Sequence, residues 1–84
     1  MPVISRFYGI SIRMYFQQSE HNPPHIHAIY GEDMAAINIR NGDVIEGYLP
    51  SKALSLVREW IEIHRNHLLH IWETQEFVPV APLE

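Results

Sequence analysis

The chain has 84 residues, of which 46% are hydrophobic and 19% charged, and this composition is typical of one small folded domain with a single core. Its net charge of −4 disfavours a general grip on nucleic acid through phosphates. The chain contains no cysteine, which excludes disulfides and thiol chemistry, and no apolar run approaches the roughly 20 residues of a membrane span. We therefore expect one domain over residues 1–84, in a cytoplasmic protein without a membrane partner.

Two strands are predicted at the start of the chain. Residues 3–7 form a short apolar strand, and Tyr8-Gly9 a turn. Residues 10–16 alternate strictly between apolar and other side chains, which predicts a second strand with one face in the core. The side chains expected to face the core are Ile10, Ile12, Met14 and Phe16, and those expected to face outward are Ser11, Arg13 and Tyr15.

The third predicted strand contains the most chemically informative stretch of the chain. Three of the six histidines, His21, His25 and His27, fall within seven residues, and two consecutive prolines stiffen the segment between the first two. Residues 25–30 are rich in β-branched and aromatic residues, which favours a strand. Alternate side chains of a strand share a face, so His25 and His27 should project side by side, with His21 held within reach.

This group of histidines has three interpretations. A divalent metal ion would take His21, His25 and His27 as ligands, with Glu20 as an alternative third ligand. An acid–base or anion-binding site would use the same imidazoles, with Arg13 holding a phosphate. In a purely structural role, the rings would stack on proline and tyrosine rings at the end of the sheet and hydrogen-bond to the backbone. The spacing matches no standard zinc motif, so we expect no cofactor, and a weak or absent response to added metal.

Two further strands follow, over residues 34–39 and 43–48. The Asn41-Gly42 pair between them is the strongest hairpin signal in the chain, because both residue types tolerate the positive φ of a type I′ turn. Such two-residue connections force antiparallel pairing, so the sequence predicts an antiparallel sheet of four to five strands.

The hydrophobic period then changes from two to about 3.6, which predicts one helix over about 52–75 with Ser51 as its N-cap. The apolar stripe consists of Leu54, Val57, Ile61, His64, Leu68 and Trp72. This stripe should pack across the sheet in a two-layer α+β domain. The tail over 78–83 should be extended, along a sheet edge or a partner.

A second apolar seam is predicted on the helix. Leu56 and Ile63 lie one heptad apart and nearly opposite the main stripe, where both are expected to be exposed, with His67 and His70 close by. A seam of this kind is how a small helix binds another copy of itself or a small protein partner. The last two histidines are expected at the surface, whereas His64 should lie at the edge of the core.

Several motifs together resemble a widespread group of small bacterial proteins known as domain of unknown function 4160. The matching elements are the opening residues 1–9, His21, Pro23, Pro24, His25, His27, Tyr30-Gly31, residues 47–50, Glu59-Trp60 and His64. The resemblance implies no established activity. It implies two-gene neighbourhoods with a second small family, similar to toxin–antitoxin modules. That group commonly has an acidic residue near position 67, where this chain has His67.

Two functional hypotheses follow. In the first, the protein is a protein-binding component of a toxin–antitoxin-like pair, and it contacts its partner or itself through the helix seam or a sheet edge. In the second, it is a small metal-independent ribonuclease-like enzyme or a metal-binding enzyme, in which histidines 21, 25 and 27 supply acid and base. Arg6 or Arg13 would then hold the phosphate of RNA or of another anionic ligand.

Overall fold

The structure is a computed structural model that describes residues 3–15 and 23–84. Five strands are followed by one long helix, so the predicted α+β class is confirmed. The elements are β1 (Val3–Phe7), β2 (Ile10–Arg13), β3 (His25–Tyr30), β4 (Asp33–Asn38), β5 (Val44–Gly47) and α1 (Ser51–Thr74).

The five strands form a single meander in the order β1-β2-β3-β4-β5, in which every neighbouring pair is antiparallel. Helix α1 covers one face of this sheet. The alternation predicted for the second strand is confirmed, because Ile10, Ile12 and Met14 are fully buried in the core. Phe16, which was predicted to join them, lies outside the described residues. We call the sheet face opposite α1 the outer face.

The type I′ turn predicted at Asn41-Gly42 is wrong. Gly42 has a φ of +78°, but Asn41 does not have positive φ, and a longer loop over residues 39–43 joins β4 to β5. Ile39, the first residue after β4, stays packed against the sheet. Its side chain is buried, and its N–H donates to the carbonyl of Pro24 at 2.9 Å. The Asn41 side chain then accepts a hydrogen bond from the N–H of Asp43, which stabilises a wider turn.

The turn with two positive φ values lies instead between β1 and β2. Tyr8 has a φ of +50° and Gly9 of +79°, and the flanking residues Phe7 and Ile10 are paired across the strands. This geometry matches the type I′ class, whose twist suits a two-residue hairpin. Tyrosine is rare at the first position of such a turn, which is why the sequence favoured the asparagine-glycine pair.

Replacing Gly42 with valine should destabilise the fold by about 1–3 kcal/mol, because a β-branched residue resists positive φ. The Gly42 carbonyl also accepts a hydrogen bond from Arg58 Nε at 2.8 Å, which ties the loop to α1. Urea denaturation measures the loss of stability. The control Gly42→Asn should cost far less, since asparagine tolerates the left-handed conformation, and equal losses for the two variants would contradict the explanation.

Ser51 is not the N-cap of the helix, and this prediction is wrong. Helix α1 begins at Ser51, Pro50 holds the cap position with φ −56° and ψ 149°, and no side chain makes a capping hydrogen bond. Pro50 accepts the first helical hydrogen bond, from Leu54 N–H at 2.9 Å. Because proline fixes φ, Pro50 takes the cap position, and the helix begins one residue earlier than a cap at Ser51 predicts. The helix ends where Gln75 takes a left-handed conformation.

The face of α1 that packs on the sheet carries both tryptophans. Its buried residues are Ala53, Val57, Trp60, Ile61, Leu68, Ile71 and Trp72. His64 is half-buried with its ring centroid 5.5 Å from that of Trp60, whereas His67 and His70 are exposed, as predicted. The helix therefore places histidine at the edge of the core and not within it.

The C-terminal tail lies along the edge of the sheet at β1. Val80 N–H donates to the Ile4 carbonyl at 2.7 Å, and Trp60 Nε1–H donates to the Ala81 carbonyl at 2.9 Å. Val80 and Leu83 are buried by these contacts. The tail thus occupies one edge of the sheet, while all four residues of β5 at the opposite edge are exposed.

Candidate functional site

Strand β3 divides its side chains between the two faces of the sheet. Ile26 and Ala28 are fully buried in the core, whereas His25 and His27 are half-buried on the outer face with ring centroids 5.2 Å apart. The structure therefore brings together two of the three predicted histidines. His21 and Glu20 lie outside the described residues.

A row of side chains crosses the outer face through His27. Arg13 pairs with His27 between β2 and β3, His27 with Ala36 between β3 and β4, and Ala36 with Glu46 between β4 and β5. Neighbouring strands are about 4.8 Å apart, so side chains in such a row are direct neighbours on one face. We call these four residues the outer-face row.

Ala36 leaves a pocket within the outer-face row. Because its side chain is a single methyl group, the space between His27 and Glu46 is not filled, and a pocket of about 120 Å³ lies there. The pocket is lined by Pro23, His25, His27, Ala36, Ile45 and Glu46. Tyr15, which was predicted to face outward, packs its ring at a nearly perpendicular angle to that of His27, at a centroid distance of 4.5 Å.

The orientation and proton of His25 are fixed by its neighbours. Its Nδ1 lies 2.9 Å from the Pro23 carbonyl oxygen. A carbonyl can only accept, so Nδ1 carries the proton and Nε2 of the neutral ring is an acceptor. The ring also contacts those of His27 and of Trp72 on α1, the latter at 5.0 Å, so His25 lies where the outer face meets the end of the helix. The proline segment thus does more than stiffen the chain, because it presents one defined nitrogen to the site.

His27 is held neutral by its surroundings. Burial lowers the pKa of His27 below its ordinary value of 6.5, the nearby His25 lowers it further, and the carboxylate of Glu46 opposes the shift. A neutral imidazole at neutral pH is able to accept a proton, which is the property required of a general base.

The lowered pKa of His27 makes a prediction about stability. In the unfolded chain His27 takes up its proton near pH 6.5, whereas in the folded protein it does so only at lower pH. The unfolded state binds more protons in this window, so the free energy of unfolding should fall as the pH decreases through about 6.5. Above the window neither state binds the proton, and the contribution of His27 is independent of pH.

Comparison with His27→Gln isolates this effect from the other histidines. Chemical denaturation at several values between about pH 8 and about pH 5 should show that the variant loses less stability than the wild type on acidification. Parallel curves for the two proteins would show that His27 has the same pKa in the folded and unfolded states.

Buried polar atoms without partners lie in this part of the sheet. Among residues 3–15 and 23–84, the buried side-chain atoms that lack a hydrogen-bond partner are Ser5 Oγ, Arg13 Nε and His27 Nδ1. Such atoms are rare because each costs about 1–3 kcal/mol of desolvation without compensation. Two of the three belong to residues paired across β2 and β3.

The structure gives partial information about a metal site. Within the described part of the chain, no group of three or more His, Cys, Asp or Glu side chains is arranged to hold a metal ion. The predicted set of His21, His25 and His27 includes one residue outside that part. The set therefore stays a prediction.

The residues of the predicted helix seam differ in exposure. Ile63 is 62% exposed, and His67 and His70 are also exposed. Leu56 is half-buried and packs against the core, which corrects the expectation that it is exposed. It also lines a cleft beside Tyr8. The freely exposed part of the seam is thus centred on Ile63.

A family model described as domain of unknown function, DUF4160, matches residues 9–73. The chain belongs to the DUF4160 family. The DUF4160 match extends from the start of β2 almost to the end of α1 and includes the whole outer-face row. No curated protein and no solved structure matches the chain. In the residues that the structure describes, no helix is long and apolar enough to cross a membrane.

Sequence reasoning missed three residues of this site: Ala36, Glu46 and Trp72. The register that places Ala36 and Glu46 beside His27 includes an irregularity between Ala36 and Ile37, and nothing in the local sequence specifies it. The family description of DUF4160 assigns no role to any of these residues. Their connection to His25 and His27 comes from the geometry of the sheet and of the helix end.

Proposed function

We propose that the protein binds a phosphate-bearing ligand on the outer face of its sheet, where two imidazoles supply acid–base chemistry. The observation that carries this proposal is the pairing of Arg13 with His27 on the outer face, beside the pocket over Ala36. A phosphate oxygen accepts hydrogen bonds and carries charge, so it suits a guanidinium better than a neutral ligand does.

The two imidazoles are suited to different tasks. His27 is neutral because of its burial and is able to take a proton from a bound ligand. His25 has a fixed ring orientation with Nε2 directed away from the Pro23 carbonyl. When protonated, it donates through that nitrogen. An acid and a base 5.2 Å apart between ring centroids are the elements of a metal-independent phosphoryl-transfer site.

The net charge of the chain limits what kind of binding is expected. With a charge of −4, the protein has no broad positive field, so the affinity must come from local contacts at Arg13 and the histidines. One neutralised phosphate gives a shallow salt dependence, with log K falling against log salt with a slope of about −1. A nonspecific nucleic-acid binder with many contacts would show a far steeper slope.

Titration of the full chain tests the proposal directly. Inorganic phosphate and a short labelled RNA should each bind, the first observed by shifts of the His25 and His27 ring signals in NMR and the second by fluorescence anisotropy. A repeat with zinc and with chelator separates phosphate binding from metal binding, since a bound metal would raise the melting temperature. Unchanged histidine signals in phosphate and no RNA binding would overturn the proposal.

A protein-binding role is the second candidate, and a specific observation favours it. Ile63 is largely exposed on α1, and the free edge of the sheet at β5 exposes Ile45 and, just beyond it, Tyr48. Large exposed apolar side chains on a helix and on the edge strand of a sheet are typical of surfaces that bind another chain. Such a partner is the second member of a two-gene toxin–antitoxin-like module, or another copy of the protein.

Replacing Ile63 with glutamate should abolish association with a copy or a partner encoded by a neighbouring gene, while the melting temperature stays unchanged because the side chain is exposed. Light scattering and co-purification measure the two forms of association. Ser55→Glu, also at an exposed helix position, is the control for added charge. Leu56→Glu should instead destabilise the fold, since Leu56 packs against the core. A monomeric wild type that binds no such partner would show that Ile63 is ordinary surface.

A further inference from the structure

The cleft beside Tyr8 lies between the sheet and the start of α1, separate from the outer face. It has a volume of about 290 Å³, and its lining comes from the β1–β2 hairpin, the end of β3 and the first turns of the helix. Two of the lining residues, Ile10 and Ala53, are buried in the core. The cleft therefore reaches from the surface to the core between the two layers of the fold.

Two tyrosine rings line the cleft and remain partly exposed. Tyr8 is 59% exposed and Tyr30 41%. A Cβ added at Gly9 would lie 3.4 Å from Cε1 of Tyr30, so the Tyr30 ring rests against the backbone of the β1–β2 turn. Aromatic rings bind other flat rings by offset stacking or edge contacts. The cleft thus offers aromatic surface above an apolar floor.

Tyr8 occupies a backbone conformation that its side chain does not favour. Its φ of +50° lies in the left-handed region, where a bulky residue is rare and asparagine or glycine is preferred. Burial does not offset this strain, because more than half of the side chain is exposed. Strained residues of this kind cluster at sites that hold a ligand. The position of the ring at the cleft gives this tyrosine a role that the fold alone does not.

Lys52 gives the cleft its charge. Among the described residues that line it, Lys52 is the only charged one, and the first turn of α1 contains no acidic residue. An anion beside Lys52 would therefore meet a cation without a competing carboxylate in the lining. The one positive charge matches that of a single carboxylate, whereas a cationic ligand would be repelled.

We propose that the cleft binds a small aromatic carboxylate, whose ring lies against Tyr8 and Tyr30 and whose carboxylate pairs with Lys52. A cavity of about 150 Å³ holds one benzene molecule, so about 290 Å³ has space for two fused rings. The inference is independent of the proposed function, because the cleft shares no residue with Arg13 and the histidines of the outer face.

NMR titration of the full chain with three indole compounds of similar size tests the inference. Indole-3-acetate is an anion, indole-3-acetamide is neutral and tryptamine is a cation. We expect saturable shifts of the Tyr8 and Tyr30 ring signals, and about two- to fivefold tighter binding of the acetate than of the amide, the effect of one partly exposed ion pair. Tryptamine should bind more weakly than the amide. The His25 and His27 signals, which report on phosphate, should not move.

Tyr8→Asn removes the ring and relieves the backbone strain. Binding of indole-3-acetate should therefore fall about tenfold, while the melting temperature stays unchanged or rises. Tyr48→Asn is the matched control, because Tyr48 is 64% exposed and does not line the cleft. It should bind the acetate like the wild type. If Tyr8→Asn lowers the melting temperature and binds the acetate normally, Tyr8 has a structural role and the inference is overturned.

Lys52→Met tests the charge separately from the ring. It should remove the preference for the acetate over the amide, and it should leave phosphate binding at Arg13 unchanged because phosphate has no ring to fill the cleft. Equal binding of all three indole compounds by the wild type, or saturable binding of none, would overturn the inference. Neither result bears on the phosphate site. Failure of phosphate to shift the histidine signals, with indole-3-acetate still bound, would overturn the proposed function alone.

Discussion

Replacing Gly47 with alanine should destabilise the protein by more than about 3 kcal/mol, the largest effect that we expect of any single methyl group in the chain. Gly47 has a φ of +84°, which alanine adopts only with strain. An added Cβ would overlap the backbone carbonyl oxygen of Met34 and lie 3.0 Å from the Cα of Ala35. That same oxygen accepts the N–H of Tyr48 at 2.9 Å. The clash is with backbone, which has no rotamer through which to yield.

Gly31→Ala is the matched control for this experiment. Gly31 also has positive φ, at +62°, but a Cβ there would meet nothing within 4 Å. Its cost is therefore the conformational strain alone, about 1 kcal/mol. Urea denaturation of both variants separates strain from steric overlap. Similar losses for the two variants would mean that β4 and β5 move apart easily at Gly47, against the packing described.

The local features of this fold are predictable from sequence because they depend on near neighbours. The alternation over residues 10–16 fixes which side chains of β2 face the core, and the 3.6-residue period fixes the buried face of α1. The turns are less predictable. Asn41-Gly42 has the right residues for a type I′ turn. Because Ile39 is buried, however, the chain forms a longer loop in which Asn41 does not have positive φ. Tertiary packing thus outweighs local turn preference.

The candidate site is predictable only in part, for the same physical reason. His25 and His27 share a face because they are two residues apart on one strand. Arg13 and Glu46 join them through the registers of β2 on β3 and of β4 on β5. A register depends on pairing between distant segments and shifts with one irregularity, such as that between Ala36 and Ile37. The pocket exists because position 36 is an alanine. That alanine is recognisable as part of a site only once its neighbours across the sheet are known.

Arg13→Met should weaken binding of phosphate and of RNA about 10- to 100-fold, because it removes the positive end of the outer-face row. The same change should leave stability unchanged or slightly raised. Arg13 Nε is buried with no hydrogen-bond partner among the described residues, so removing it relieves a desolvation cost. Methionine keeps the apolar stem that packs on the sheet. Loss of binding together with retained stability is typical of a functional residue.

Lys52→Met, at an exposed position in the first turn of α1, is the control for the loss of one positive charge. It should leave phosphate binding within about twofold of wild type, because exposed charges act weakly at a distance in salt. Thermal melts and anisotropy titrations at one fixed salt concentration measure both properties for both variants. If Arg13→Met lowers the melting temperature and binds RNA like the wild type, Arg13 has a structural role. The outer-face row would then be part of the sheet's packing and not a site.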